Sequence, residues 1–301
     1  MEKSNQMEKM KKVRYLITII LASLILINAF ATYSSCNYRL YALATNTTAA
    51  EATTTTKFNV TAALFLMINS ERMRTQLMLA QQSLPVDKDL SFLHAYVIHS
   101  IIFPSIENVI GKTAPNSANE LLSTTTDLAF TIKTGNSQYI SKDLILAKNA
   151  LNATYNQLLN PILESNKRAS FLAETASFLL NDANKSYSIS GAGESTNQGK
   201  PDNFDYQNAV GLVNASKTDF NKISNSTNKD KESEIHQYYD QLQSYVINKF
   251  DTQSVSRLIS EIQNDLSSYY KSSGNSTANP YTHYFSTIRN DLQSIIKDVK
   301  N

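Results

Sequence analysis

Several residue types that constrain a fold are scarce in this 301-residue chain. It contains no tryptophan, one cysteine, six prolines and seven glycines. A fold made of many short strands needs Gly and Pro at its connections, so their scarcity disfavours an all-β protein. The single cysteine, Cys36, excludes an internal disulfide. The domain is therefore not stapled by a disulfide.

The chain also lacks a large excess of charge of either sign. It has 28 Lys and Arg against 26 Asp and Glu. Residues 1–31 hold five of the cations and two of the anions, so the remaining 270 residues carry 23 and 24 and a net charge of −1. Without a basic patch, we expect no binding to nucleic acid.

The strongest positive feature is at the N-terminus. Four cations (Lys9, Lys11, Lys12 and Arg14) precede an apolar run, Tyr15 to Ala31, that ends in Ala29-Phe30-Ala31. A basic start, an apolar stretch and a small-x-small site are the three parts of an export signal. The run covers roughly 25 Å, which is shorter than a hydrocarbon core of about 30 Å and favours a cleaved signal peptide. A retained membrane anchor is the alternative. We therefore predict an extracytoplasmic protein, secreted or anchored by residues 1–31 to the outer face of the cytoplasmic membrane.

Residues 32–57 are rich in Thr and Ala, and the part from 42 to 57, ALATNTTAAEATTTTK, is of low complexity and nearly without bulky side chains. Such a segment buries too little surface to offset its conformational entropy, so we predict a disordered tether. Cys36 lies in this segment. It is interpreted as an unmodified thiol, with lipid attachment as the alternative.

Beyond the tether, apolar residues recur three and four positions apart almost everywhere, which is typical of amphipathic helices. The fold class is therefore predicted to be all-α, an up-and-down helical bundle. Gly-, Pro- and Asn-containing breaks divide it into nine helices at 58–84, 87–110, 117–133, 138–164, 168–187, 204–223, 230–249, 252–271 and 280–299. Similar stripes about 115 residues apart suggest a diverged internal repeat. We predict two four-helix modules, 58–165 and 168–271, followed by a C-terminal helix in 280–301.

The four histidines are the main candidates for chemistry. His94 and His99 are five positions apart, which places them about 140° apart on a helix rather than the roughly 40° of a metal-binding i, i+4 pair. A distortion at Pro104 would bring His99 towards Glu107, and packing of the two modules could add His236. The candidate metal ligands are therefore His94, His99, Glu107 and His236. The alternative is ordinary histidines at the edge of a bundle core. No other cofactor is predicted.

The motifs of several enzyme classes are missing from the sequence. There is no G-x-S-x-G elbow and no H-E-x-x-H pair. Glu71, with its neighbours Arg72 and Arg74, is interpreted as solvated surface charge. We therefore expect a protein that is not an enzyme.

Two segments resemble a known family. FDYQNAVGLVNASKTDFNKI (Phe204 to Ile223) and LHAYVIHSIIFPSIENVI (Leu93 to Ile110) are similar to helices of the extracytoplasmic four-helix regions associated with high-affinity iron permeases, and of their stand-alone secreted relatives. The resemblance implies a helical module near a membrane. It does not imply transport, because the Arg-Glu-Gly-x-Glu motif of those permeases is missing.

The sequence thus favours an exported, non-enzymatic helical bundle that acts as a binding or interaction module at the cell surface. Its partner would be an unknown protein or small ligand, and the membrane itself if residues 1–31 are retained. Two alternatives stay open. One is an extracytoplasmic iron- or copper-binding protein associated with a transporter, and the other is a receptor-like ectodomain.

Overall fold

The computed structural model describes residues 60–164, 167–194, 203–223 and 229–270. These residues form eight helices and no strand, which confirms the predicted all-α class. The helices are α1 (Val60–Ser83), α2 (Lys88–Thr113), α3 (Pro115–Thr134), α4 (Ser137–Leu163), α5 (Arg168–Ser190), α6 (Asn203–Asn221), α7 (Lys229–Ile247) and α8 (Thr252–Tyr270). The predictions for residues 1–31, the tether, Cys36 and the helix in 280–301 lie outside the described residues.

The helix ends follow local chemistry that can be read from the sequence. Asp87 caps α2, where its carboxylate accepts the N–H of Leu90 at 2.9 Å. Pro115 occupies the first turn of α3, where its missing N–H costs nothing. Gly135 ends α3 in the left-handed conformation, with φ of 75°, and donates to the carbonyls of Thr131 and Ile132. The predicted break between the helices at 117–133 and 138–164 is therefore confirmed.

Helix α2 contains a turn of π-helix at Ile98–Ile102, just before Pro104. The N–H of Phe103 reaches back five residues to the carbonyl of Ile98. Pro104 has no N–H to continue the α-helical ladder, so the widened turn lies where that ladder is already interrupted. Pro161 has a milder effect, since α4 continues through it to Leu163.

The eight helices pack in two circuits of four. In the first, α1 contacts α2 and α4, α2 contacts α3, and α3 contacts α4; in the second, α5, α6, α7 and α8 follow the same order. Contacts of α1 with α5 and α6, together with smaller contacts between α2 and α6 and between α4 and α5, join the circuits. We call this junction of α1, α2, α4, α5 and α6 the seam. All the described helices belong to one compact unit, Val60–Asn279.

Helix α1 is the central helix of this unit. The sequence pattern predicts an apolar stripe on one side of it, but its side chains from Ala63 to Ala80 are buried almost without interruption. A helix that is buried on all sides needs neighbours on all sides. In α1 they come from α2 and α4 of its own circuit and from α5 and α6 of the other.

Among the described residues, α2 is the one helix whose length and composition would allow it to cross a membrane. Its most apolar 18-residue window is 67% buried within the protein. This burial is typical of a core helix in a bundle.

Candidate functional site

The four candidate metal ligands lie in different surroundings. His94 is fully buried in α2, His99 is half-buried on the π turn, and Glu107 is exposed further along α2. His236 is half-buried on α7, with its ring centroid 5.0 Å from that of Phe220 in a T-shaped contact. No group of three or more His, Cys, Asp or Glu within the described ranges is arranged to hold a metal ion. Metal binding by this set therefore stays a prediction without geometric support.

The polar groups that the structure does bring together lie on α1. A run in the middle of this helix is polar and largely buried, and we call it the polar belt: Asn69, Ser70, Glu71, Arg72, Arg74, Thr75 and Gln76. The interpretation of Glu71, Arg72 and Arg74 as solvated charge is wrong. Glu71 is 5% exposed, and the Arg72 side chain forms an ion pair with Asp182 of α5, with exposures of only 13% and 15%. These charges are buried because α1 is surrounded by other helices, so each needs a partner.

A glycine lets α6 approach the belt closely. A Cβ atom at Gly211 would lie 2.6 Å from Cγ2 of Thr75 and 3.3 Å from Cδ1 of Leu79. Thr75 cannot easily move away, because its hydroxyl donates to the Glu71 carbonyl at 2.9 Å. The lack of a side chain at position 211 therefore sets the spacing of α1 and α6 at the seam.

On one side of the belt lies an uncharged network, which we call the amide network: Gln76, His94, Gln207 and Asn208. His94 Nδ1 lies 2.7 Å from Gln76 Oε1, and its Nε2 lies 3.1 Å from the Gln207 amide group. Gln76 Nε2 donates to Asn208 Oδ1 at 2.8 Å. Ser83 and Ser186 end the chain of bonds, at 2.8 Å from Gln207 and 3.2 Å from Asn208. The network thereby links α1, α2, α5 and α6.

Burial keeps the imidazole of this network neutral. It lowers the pKa of His94 to about 4, against which the hydrogen bond with Gln207 acts weakly. Both ring nitrogens face an amide oxygen, Nδ1 that of Gln76 and Nε2 that of Gln207, and a neutral imidazole has one N–H, so it donates to one of the two oxygens at a time. The ring of Phe204 stacks on the imidazole at 4.6 Å. His94 is therefore a buried structural residue with both ring nitrogens within hydrogen-bond distance of an amide.

On the other side of the belt lie four ionisable groups, which we call the charged cluster: Glu71, Arg74, Asp219 and Lys222. The Glu71 carboxylate pairs with the Arg74 guanidinium and lies 3.8 Å from the Lys222 ammonium. Lys222 donates to Asp219 Oδ1 at 2.7 Å. The Arg74 guanidinium lies 4.0 Å from the centroid of the Tyr155 ring, a cation–π contact. The cluster thus joins α1, α4 and α6.

Asp219 is the most constrained member of the cluster. Its side chain is 0% exposed, and its Oδ2 atom has no hydrogen-bond partner within the described structure. Burial, together with the nearby Glu71 charge, raises the pKa of Asp219 to about 7, although Lys222 and Arg74 act in the opposite direction. Burial alone would lower the pKa of Lys222, but the carboxylates of Asp219 and Glu71 outweigh it and raise that pKa. Lys222 therefore stays charged at neutral pH.

The charged cluster opens onto a cavity of about 620 Å³ between α1, α4, α5 and α6. Its lining combines charged, polar and apolar side chains: Glu71, Arg74, Tyr155, Asn160, Leu163, Glu164, Arg168, Leu172, Thr218 and Lys222. This volume is within the range of small-molecule sites, which often lie where two substructures meet. The amide network has no such opening among the described pockets.

Comparisons with known proteins give no indication of function, so the geometry is the main basis for a proposal. No family model, no curated protein and no solved structure matches this chain.

Proposed function

We propose that this chain is an exported, non-enzymatic helical-bundle protein that binds a small ligand in the cavity of its seam. It would act as a binding module on the outer side of the cytoplasmic membrane. Residues 9–31, with their basic and apolar parts, support the export.

The observation that carries the binding role is the opening of the charged cluster onto the cavity. Burying charges is costly, and a core held only for stability is usually served as well by apolar residues. Here Glu71 and Asp219 are buried, while Arg74 and Lys222 reach the cavity wall. Such an arrangement provides fixed charges for a ligand without reorganisation of the protein.

The chemistry of the wall favours binding over catalysis. The described lining contains ion-paired and amide side chains but no cysteine, serine or histidine. Arg74 and Lys222 each already face a carboxylate, so they are suited to hold a charge in place. These features support a recognition site rather than a nucleophilic one.

Two measurements test this proposal. A thermal-shift screen of the purified chain should include sugars, amino acids, dicarboxylates, nucleotides and divalent metal ions. We expect at least one organic compound to raise Tm, and the shift to disappear in Thr218→Trp, which places a bulky ring in the cavity wall. If no compound stabilises the protein, or if Thr218→Trp responds like the wild type, the binding proposal is wrong.

The predicted export of the protein is tested separately. The full chain, fused at its C-terminus to a reporter that is active only outside the cytoplasm, should give a signal that is lost on deletion of residues 1–31. Export would be contradicted if the full-length fusion protein accumulated in the cytosol and its reporter gave no signal.

A further inference from the structure

Two exposed side chains of opposite charge at the seam cavity, Glu164 and Arg168, lack a partner among the described residues. Arg168 opens α5 and Glu164 follows the last residue of α4, so both lie at the corner between these helices. Neither side chain has a hydrogen bond or ion pair with a described residue. By contrast, the other two cations of the wall, Arg74 and Lys222, are paired with Glu71 and Asp219.

The charges of the wall favour a ligand that carries both signs. The wall holds three cationic groups, Arg74, Arg168 and Lys222, and two anionic groups, Glu71 and Glu164. A dianion would meet two carboxylates, and a diamine would meet three cations. A ligand with one positive and one negative group places each beside an opposite charge.

The positions of the groups further restrict the ligand. Glu164 directly follows α4 and Arg168 opens α5, so the two lining residues are attached at the same corner of the cavity. The ammonium and carboxylate of the ligand must then be close together, as they are on the α-carbon of an amino acid. The Lys222 ammonium donates to Asp219, lines the same cavity and has further N–H groups with which to donate to a ligand carboxylate.

The remaining wall is apolar. Leu163 and Leu172 line the cavity, together with the ring of Tyr155. They provide a surface for a hydrophobic side chain rather than a sugar or a nucleotide, which would require several more hydrogen-bonding groups.

From these observations we infer that the seam cavity binds a zwitterionic α-amino acid with an apolar side chain. Arg168 and Lys222 hold its carboxylate, Glu164 holds its ammonium, and the leucines cover its side chain. This inference rests on the proposed function and specifies the ligand class of that same site.

The test compares three molecules of nearly the same shape. Leucine carries both charges, isocaproate carries only the carboxylate, and isoamylamine carries only the ammonium. By calorimetry and thermal shift on the full chain, leucine should bind and raise Tm, and each of the analogues should bind at least about tenfold more weakly, since each leaves one charge of the wall without its partner. Equal binding of leucine and isocaproate, or of leucine and isoamylamine, would overturn the inference.

Matched variants test which residue binds the carboxylate of the ligand and which binds its ammonium. Arg168→Met should weaken leucine binding about tenfold and reduce the discrimination against isoamylamine, because the carboxylate loses its partner. Glu164→Gln should weaken leucine binding similarly and reduce the discrimination against isocaproate. Lys142→Met and Glu120→Gln, which change exposed charges outside the cavity, should bind leucine like the wild type. If the four variants lose affinity equally, the site is not this cavity.

The outcome also separates this inference from the function on which it rests. Stabilisation by a dicarboxylate or a sugar, but not by leucine or other apolar amino acids, would reject the zwitterion and leave a binding protein. Stabilisation by no compound would reject both.

Discussion

The two sides of the polar belt pair their buried polar groups in different ways. Both bury polar groups of the central helix α1 against α6, but the amide network is closed and uncharged, whereas the charged cluster opens onto a cavity. Both ring nitrogens of His94 lie within hydrogen-bond distance of an amide, while Oδ2 of Asp219 has no partner among the described residues. Closed networks specify a unique packing of helices, and open charged groups remain available to a ligand. Under the proposed function, one side of the seam holds the fold and the other serves recognition.

The largest expected difference between the two sides is in how much the free energy of unfolding falls when one side chain is replaced by alanine. His94→Ala should lower the free energy of unfolding by about 4 kcal/mol, because it leaves a cavity in the core and removes the bonds that the imidazole makes with the network. Glu71→Ala should cost about 2 kcal/mol, since the Arg74 and Lys222 side chains, at 29% and 35% exposure, can be hydrated instead. Urea unfolding of both variants at neutral pH measures this. A larger cost for Glu71→Ala would show that the assignment of roles is reversed.

The next effect is on the pH dependence of stability, to which His94 and Asp219 contribute with opposite signs. The pKa of His94 falls from 6.5 to about 4 on folding, so between these values the unfolded state binds more protons and stability rises with pH. The pKa of Asp219 rises from 3.8 to about 7, so in that window the folded state binds more protons and stability falls as pH increases. Each effect amounts to about 3 to 4 kcal/mol over its window, and in the wild type they largely cancel.

Two variants separate these contributions. In Asp219→Asn the His94 effect alone remains, and the free energy of unfolding should rise between pH 4 and pH 6.5. In His94→Gln the Asp219 effect remains, and the free energy should fall over the same range. Urea titrations at several pH values provide the measurement, and parallel profiles for the two variants would contradict the opposed titrations.

The smallest of these effects tests the spacing of the seam itself. Gly211→Ala should destabilise the protein by about 1 to 2 kcal/mol, because the new methyl group meets Cγ2 of Thr75 at 2.6 Å. Thr75→Ser removes that methyl group and keeps the hydroxyl. The double variant Thr75→Ser/Gly211→Ala should therefore be more stable than the two single costs predict, with a coupling of about 1 kcal/mol. Additive costs would mean that the contact does not limit the approach of α1 and α6.

Much of the fold could be predicted from the sequence because its signals are local. The eight described helices match eight of the predicted segments, since apolar spacing marks each helix and Pro115 and Gly135 mark the ends. The π turn in α2 could not be predicted as such. Pro104 indicates a disturbed ladder but does not reveal which backbone bonds replace it.

The site could not be found in the same way, because its pairs are distant along the chain. Arg72 and Asp182 are 110 residues apart, and His94 and Gln207 are 113 apart. Periodicity identifies a face of one helix and does not reveal what lies opposite. A signal was nevertheless present in α1. Charges flanked by apolar residues on every face of a helix cannot all reach solvent, so Glu71 and Arg72 had to be paired with other helices.

The division of roles across the belt is tested most directly by measuring affinity and stability together. Calorimetric titration with leucine and urea unfolding should be performed on the wild type, Arg168→Met and His94→Gln. We predict that Arg168→Met binds leucine about tenfold more weakly with unchanged stability, and that His94→Gln loses stability while its affinity is unchanged. If His94→Gln loses affinity, or if Arg168→Met keeps it, recognition does not belong to the charged side of the seam.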